Sequence, residues 1–250
     1  MLKNNMLIKN IKKFVKSHQT IVGLYNWFHF LKTIRLKDFF HIPKIKLIFT
    51  VKPYTMLGYA RLSKLYDIAS CLGRKKIIGN FVECGVCNGG SAAIIATVSR
   101  YDNSRQIWLF DSWEGQPNPT KHDISYKGSQ AWMGMDLGSK EKVEELLFQK
   151  FKLDNTKIHL IKGWFNETLA SYKVEVDKIA LLHLDCDLYK SVKICLDEFY
   201  DNVVDGGFIV VDDYGHWGGC KKAVDEFIKK RNLKIELIKI DYTGVYFQKI

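Results

Sequence analysis

Four aspartates stand in two short runs, Asp185-Cys186-Asp187 and Asp212-Asp213. Each run follows an apolar stretch, Ile179 to Leu184 and Phe208 to Val211. Acids directly after such stretches sit where strands end and loops begin. In extended geometry, residues two apart point to the same side, so Asp185 and Asp187 can share one site. If the two strands are neighbours, all four acids converge. Convergent carboxylates repel by roughly 4 kcal/mol per pair at 4 Å and an effective dielectric near 20. A divalent cation that takes oxygen ligands, such as Mg²⁺, offsets that cost. A shared proton is the other way out. Two acid pairs at successive strand ends favour the cation. His216 is a weak base candidate in the loop nearby, and His183 reads as a core or supporting residue within its strand.

A second chemical signal is Asn80 to Ser91, Asn-Phe-Val-Glu-Cys-Gly-Val-Cys-Asn-Gly-Gly-Ser. An apolar run ends in the acid Glu83. A glycine turn follows, then a small-residue helix start. Gly85, Gly89 and Gly90 lack Cβ atoms and let backbone turn sharply and approach a ligand. The helix start offers free N–H groups to an anion. The run is neither Gly-x-Gly-x-x-Gly nor followed by Gly-Lys-Ser/Thr, which disfavours a nicotinamide dinucleotide or a phosphate cradle. A cofactor with a carboxylate and a nucleoside suits it better. Asp111 ends the next apolar run. An acid there holds ribose hydroxyls in dinucleotide folds; it can equally cap its own turn, and the residues leave both open.

The elements that must carry these groups alternate. Thr55 to Ile78 repeats apolar residues at helical spacing and stops at Gly79-Asn80. Strands are expected at 81–84, 106–110, 158–161, 179–184, 208–211, 234–240 and 244–249. Helices are expected at 90–99, 141–153, 188–200 and 221–231. Such alternation implies a mostly parallel α/β sheet with ligands at the strands' carboxyl ends. The polar stretch 112–139 is too long for a plain connection and reads as an active-site cover.

Charge is unevenly placed. The chain carries +11 over 250 residues, of which +9 lies in residues 1–50. A nearly neutral body argues against a nucleic-acid partner for the whole. Residues 6–17 form a basic amphipathic helix pattern, suited to a membrane surface or to packing on the body or a second copy; the latter is favoured. Tyr25 to Val51 is aromatic-rich and needs a cover. Six scattered cysteines do not make a disulfide framework. No apolar run reaches membrane-spanning length and no signal peptide is expected. A cytoplasmic protein follows, with contact at the inner face of the membrane as the second reading.

Five blocks together resemble the macrocin O-methyltransferase family, in order from about Tyr54 to the C-terminus. They are Phe81 to Ser91, Phe110-Asp-Ser-Trp-Glu-Gly115, Gly163-Trp-Phe-Asn-Glu-Thr-Leu169, Leu184-Asp-Cys-Asp-Leu-Tyr-Lys-Ser191 and Gly206-Gly-Phe-Ile-Val-Val-Asp-Asp-Tyr214. The resemblance implies a Rossmann-like class I methyltransferase domain at 54–250. It would have a mostly parallel seven-stranded sheet, helices on both faces, and a helical N-terminal appendage at 1–53. It implies S-adenosylmethionine and Mg²⁺ as cofactors and a sugar hydroxyl as acceptor, in polysaccharide or natural-product biosynthesis; a catechol is the alternative acceptor. By the same resemblance, Glu83, Gly85, Asn88, Gly89, Gly90 and Ser91 hold the methionine part. Asp111 holds the ribose, with Ser112 beside it, and Gly163 and Trp164 border the adenine. Thr55 and Met56 lie at the cofactor entry. Asp185, Asp212 and Asp213 are the metal ligands and Asp187 the general base. Cys87 stands where a bulkier residue is expected. Partners would be a small-molecule or glycan acceptor and a second copy in a homo-oligomer.

Overall fold

The computed structural model describes Ile34, Asp38 and residues 40–250. The expected helix at 6–17 and about half of the aromatic stretch from Tyr25 to Val51 lie outside the described residues. The elements are α1 (Ile42–Val51), α2 (Tyr59–Arg74), β1 (Asn80–Cys84), α3 (Gly90–Val98), β2 (Ile107–Asp111) and α4 (Lys140–Glu144, continued by a π-helical turn, Glu145–Lys150). After them come β3 (Ile158–Lys162), α5 (Phe165–Val176), β4 (Ile179–Leu184), α6 (Tyr189–Phe199), β5 (Val203–Val211), α7 (Gly218–Lys230), β6 (Ile238–Lys239) and β7 (Val245–Gln248).

The seven strands run β3-β2-β1-β4-β5-β7-β6, parallel except for β7, which is antiparallel to both neighbours. The order reverses between β1 and β4, which is where open α/β sheets hold ligands. All six residues of β4 are buried, as expected of a central strand covered on both faces. One core layer packs α1, α2, α3 and the 140–150 helix against one face of the sheet. The other packs α5, α6 and α7 against the opposite face. Within the 1–53 segment, α1 buries Leu47, Ile48 and Val51 in the first layer. Each such side chain contributes about 1.5–3 kcal/mol.

Three details differ from expectation. Helix α5 was not expected. Phe165, Leu169, Tyr172 and Val176 do recur at helical spacing, but the N-cap is Trp164, which makes no side-chain cap bond. Strand β5 begins at Val203 rather than after Gly206-Gly207. Pairing to β4 jumps from Ile179–Val203 to Leu181–Phe208, so the glycines form a bulge inside the strand. The strand expected at 234–240 shortens to the exposed edge pair Ile238–Lys239. Edge strands are commonly kept this short.

Candidate active site

The carboxyl ends of β1, β2, β4 and β5 open into a cavity of about 360 Å³. Its wall includes Thr55, Met56, Gly85, Ser91, Asp111, Ser112, Gly163 and Trp164 on one side. Asp185, Asp187, Asp212, Asp213 and His216 stand on the other. The volume falls within the usual range of small-molecule sites. The 112–139 segment contributes Gly115, Gln116, Pro117, Met135 and Asp136, so it does wall the site.

On the glycine-turn side, Asp111 is the hub. Its Oδ2 accepts from the backbone N–H of Val86 (2.7 Å) and Cys87 (2.8 Å), and its Oδ1 from Trp113 (2.7 Å). The turn-capping role left open by the sequence is therefore present. The same residue lines the cavity, where its carboxylate can accept more bonds. Gly85 is required by the protein as well as by any ligand. At φ +92 a side chain would be strained, and a Cβ would overlap the Asp185 carbonyl oxygen. A Cβ at Gly90 would lie 2.6 Å from Thr55 Cβ.

Asn88, Gly89 and Gly90 shape the turn from outside the cavity wall. Asn88 Oδ1 accepts from Ser139 N–H at 3.2 Å, and Gly89 is the left-handed N-cap of α3. Ser112 Oγ donates to the Gly115 carbonyl at 3.2 Å and accepts from Glu114 N–H. Thr55 Oγ1 accepts from Leu57 N–H, while Met56 is 66% exposed at the mouth. Glu83 is fully buried and does not line the cavity. It meets His183 Nδ1 at 3.1 Å, and its Oε2 has no partner among the described residues. Burial opposes a charged His183, but the bond to Glu83 raises its pKa above the ordinary value. This fits the supporting role expected of the histidine.

The other side is crowded with acids. Carboxylate oxygens of Asp185, Asp187 and Asp213 lie within 4.8 Å of one another. Asp185 and Asp187 do share a site, although Asp187 has φ +55 instead of an extended backbone. Gln116 Nε2 donates to Asp187 Oδ2. Burial, then Asp212 and Asp213, push Asp185 well above the usual carboxylate range. Burial and Asp213 do the same to Asp187. Asp212 is raised to about 7 by burial, against the pull of the Arg61 guanidinium. Asp136, half-buried, is raised too, by burial and by Asp213. Arg61 Nη1 donates to Asp212 Oδ2, and Asp212 Oδ1 is buried without a partner among the described residues. Burial works against the Arg61 charge, yet Asp212, Asp213, Asp241 and Asp185 hold its pKa above the ordinary value.

The donor set fits Mg²⁺: hard oxygens only, mutually repelling, with one orphaned buried carboxylate oxygen beside the trio. The cluster differs from the expected ligand set in one respect. The carboxylates that gather within 4.8 Å are Asp185, Asp187 and Asp213, while Asp212 is engaged by Arg61; Asp185 also lies within 4.8 Å of Glu83 and His183. Sequence reasoning missed Arg61, Gln116 and Asp136. Arg61 meets Asp212 across 151 positions of chain, and no local pattern announces such a partner.

A profile of the family described as Macrocin-O-methyltransferase (TylF) matches residues 50–249. Demethyldecarbamoylnovobiocin O-methyltransferase of Streptomyces niveus is 32% identical over 205 residues, covering 78% of this chain and 76% of that protein. Mycinamicin III 3''-O-methyltransferase of Micromonospora griseorubida is 28% identical over 202 residues, covering 78% of each. The solved structure of the O-methyltransferase NovP superposes with a TM-score of 0.70 at 31% identity, covering 78% of this chain and 82% of that one.

Proposed function

The chain belongs to the macrocin O-methyltransferase family and is an S-adenosylmethionine-dependent O-methyltransferase; from that premise we propose that it methylates a sugar hydroxyl flanked by a second hydroxyl, with Mg²⁺. The observation that carries the metal reading is the trio Asp185, Asp187 and Asp213 within 4.8 Å on the cavity wall. Sugar acceptors are supported by the activities of relatives, one of which methylates a rhamnosyl tetracenomycin.

Asp185, Asp212 and Asp213 would hold the ion. Bound there, it supplies the positive charge that makes a neutral hydroxyl more acidic, as a metal does for water. Asp187 is the general base, with Gln116 fixing one of its oxygens. On the opposite wall, Gly85 and Ser91 receive the methionine part. Asp111 and Ser112 receive the ribose, and Gly163 and Trp164 border the adenine, with Thr55 and Met56 at the entry. Glu83, Asn88, Gly89 and Gly90 support the methionine pocket through the fold of the turn. The two walls would hold hydroxyl and methyl donor in line, and such orientation contributes much of the acceleration.

His216 and Tyr242 line the acceptor side, and Tyr126 packs edge-on against both rings at 5.2 and 5.8 Å. Rings of this kind offer a face to the apolar side of a sugar. The acceptor is free or carried by a larger molecule, and the enzyme works in the cytoplasm as a homo-oligomer.

The test is calorimetric titration with S-adenosylmethionine, with and without Mg²⁺, followed by methyl transfer to vicinal-diol sugars and to catechol. Cofactor binding with Mg²⁺-dependent transfer to sugars is expected. Transfer that survives a chelator would sink the metal role, and a preference for catechol would sink the sugar.

A further inference from the structure

Among the described residues, Arg61 is the single Lys or Arg on the cavity wall. It arrives from the first turn of α2. Nη1 donates to Asp212 Oδ2, and Nε lies 3.3 Å from Asp241 Oδ2 in an ion pair. Asp241 is itself fixed, because its Oδ1 accepts from the N–H groups of Thr243 and Gly244, both at 2.9 Å. Thr243 Oγ1 in turn donates to the Asp212 carbonyl at 2.9 Å. The ring of contacts thus closes through α2, the end of β5 and the β6–β7 turn. Gly244 leaves room for it: a Cβ there would stand 3.2 Å from Arg61 Cδ. Within this ring, Asp212 is 1% exposed, with Oδ2 taken and Oδ1 unpartnered among the described residues.

We propose that Arg61 is a positioning residue for the divalent cation, fixing the Asp212 carboxylate so that Oδ1 alone is offered as a ligand. The inference rests on the metal reading above. Ligating carboxylates are themselves hydrogen-bonded in metal sites, and loss of such a partner typically costs about 10–100-fold in metal affinity. The competing role is plain charge neutralisation of a buried acid. Lysine separates the two, since it keeps the charge and loses the planar guanidinium that hydrogen-bonds Asp212 while pairing in charge with Asp241.

The experiment is Mn²⁺ binding to the full chain, followed by electron paramagnetic resonance, for wild type, Arg61→Lys and Asp241→Asn. S-adenosylmethionine affinity and the melting temperature in chelator are measured alongside. Arg61→Lys is expected to weaken Mn²⁺ binding about tenfold or more, with cofactor affinity unchanged. Asp241→Asn, which loosens the second anchor, weakens it less. Unchanged or tighter Mn²⁺ binding in Arg61→Lys overturns the proposal. If that variant does not fold, Asp241→Asn decides, and unchanged affinity overturns it. A wild-type protein that binds no Mn²⁺ fails the metal reading itself, before any variant is compared.

Discussion

The two walls of the cavity both carry acids at strand ends, yet they are finished differently. On the β1–β2 side the chain completes Asp111, which accepts three backbone N–H groups, while Glu83 is held by His183 through one oxygen and its other oxygen has no partner among the described residues. On the β4–β5 side the acids mostly face one another, and Asp212 keeps an unpartnered oxygen. A completed carboxylate holds a loop in shape whether or not a ligand is present. An incomplete cluster stores repulsion that a ligand can relieve. The first wall therefore behaves as scaffold and the second as receptor.

The sharpest way to break this contrast is to substitute within the incomplete cluster. Asp187→Asn should lower methyl transfer by about 10²–10⁴-fold, the usual worth of a general base. Calorimetry should find S-adenosylmethionine binding nearly unchanged, and a parallel loss of cofactor affinity would blur the two walls into one. Asp213→Asn should likewise abolish transfer, yet raise the melting temperature in chelator, because it removes a repelling charge. A lower melting temperature would count against stored repulsion.

Asp111→Ala should act in the opposite sense. It leaves the N–H groups of Val86, Cys87 and Trp113 without their acceptor, at a cost of about 3 kcal/mol or more. Chemical denaturation should show that loss, and cofactor affinity should fall with it. Stability unchanged within error would mean the turn does not depend on its acid.

Acidity gives a gentler test. Asp185 and Asp187 are held well above the ordinary carboxylate range, and Asp212 is held at about 7. An acid raised in the folded state stays protonated there while the unfolded chain ionises. For Asp212 that contribution therefore falls as pH rises from the ordinary range of about 4 to about 7, then levels off. In chelator, the stability difference between wild type and Asp185→Asn should grow in the variant's favour as pH rises above the ordinary carboxylate range, and Mg²⁺ should shrink it. A flat difference in thermal melts would refute the link.

The smallest effect is expected at the rim. Tyr242 is 62% exposed and touches Tyr126 without supporting the core. Tyr242→Ala should raise the acceptor KM several-fold with kcat and cofactor affinity little changed. A collapse of kcat would place that ring nearer the reacting atoms.

Much of this was legible in the chain. The strand ends at Glu83, Asp111, Asp185 and Asp212 announce themselves because apolar runs stop there, and a parallel sheet sends them all to one edge. Helix α5 escaped because its N-terminal cap is Trp164 rather than a hydroxyl or carboxylate residue. Arg61 escaped for a different reason. Its meaning lies wholly in partners 151 and 180 positions away, and a lone arginine between Ala60 and Leu62 looks like any helix surface charge. The alternation of Asp185 and Asp187 was read from extended geometry, but the left-handed Asp187 brings its oxygen into the cluster by another route.

Gly85 has a last consequence. Its α-carbon rests against the Asp185 carbonyl with no room for a methyl group. The spacing between the turn that follows β1 and the acids that follow β4 is therefore a caliper set by two abutting backbones, with no hinge or side chain between its jaws. Redesign toward bulkier acceptors has to proceed through the 112–139 segment and the Tyr242 turn. Widening the caliper itself would pull apart the centre of the sheet.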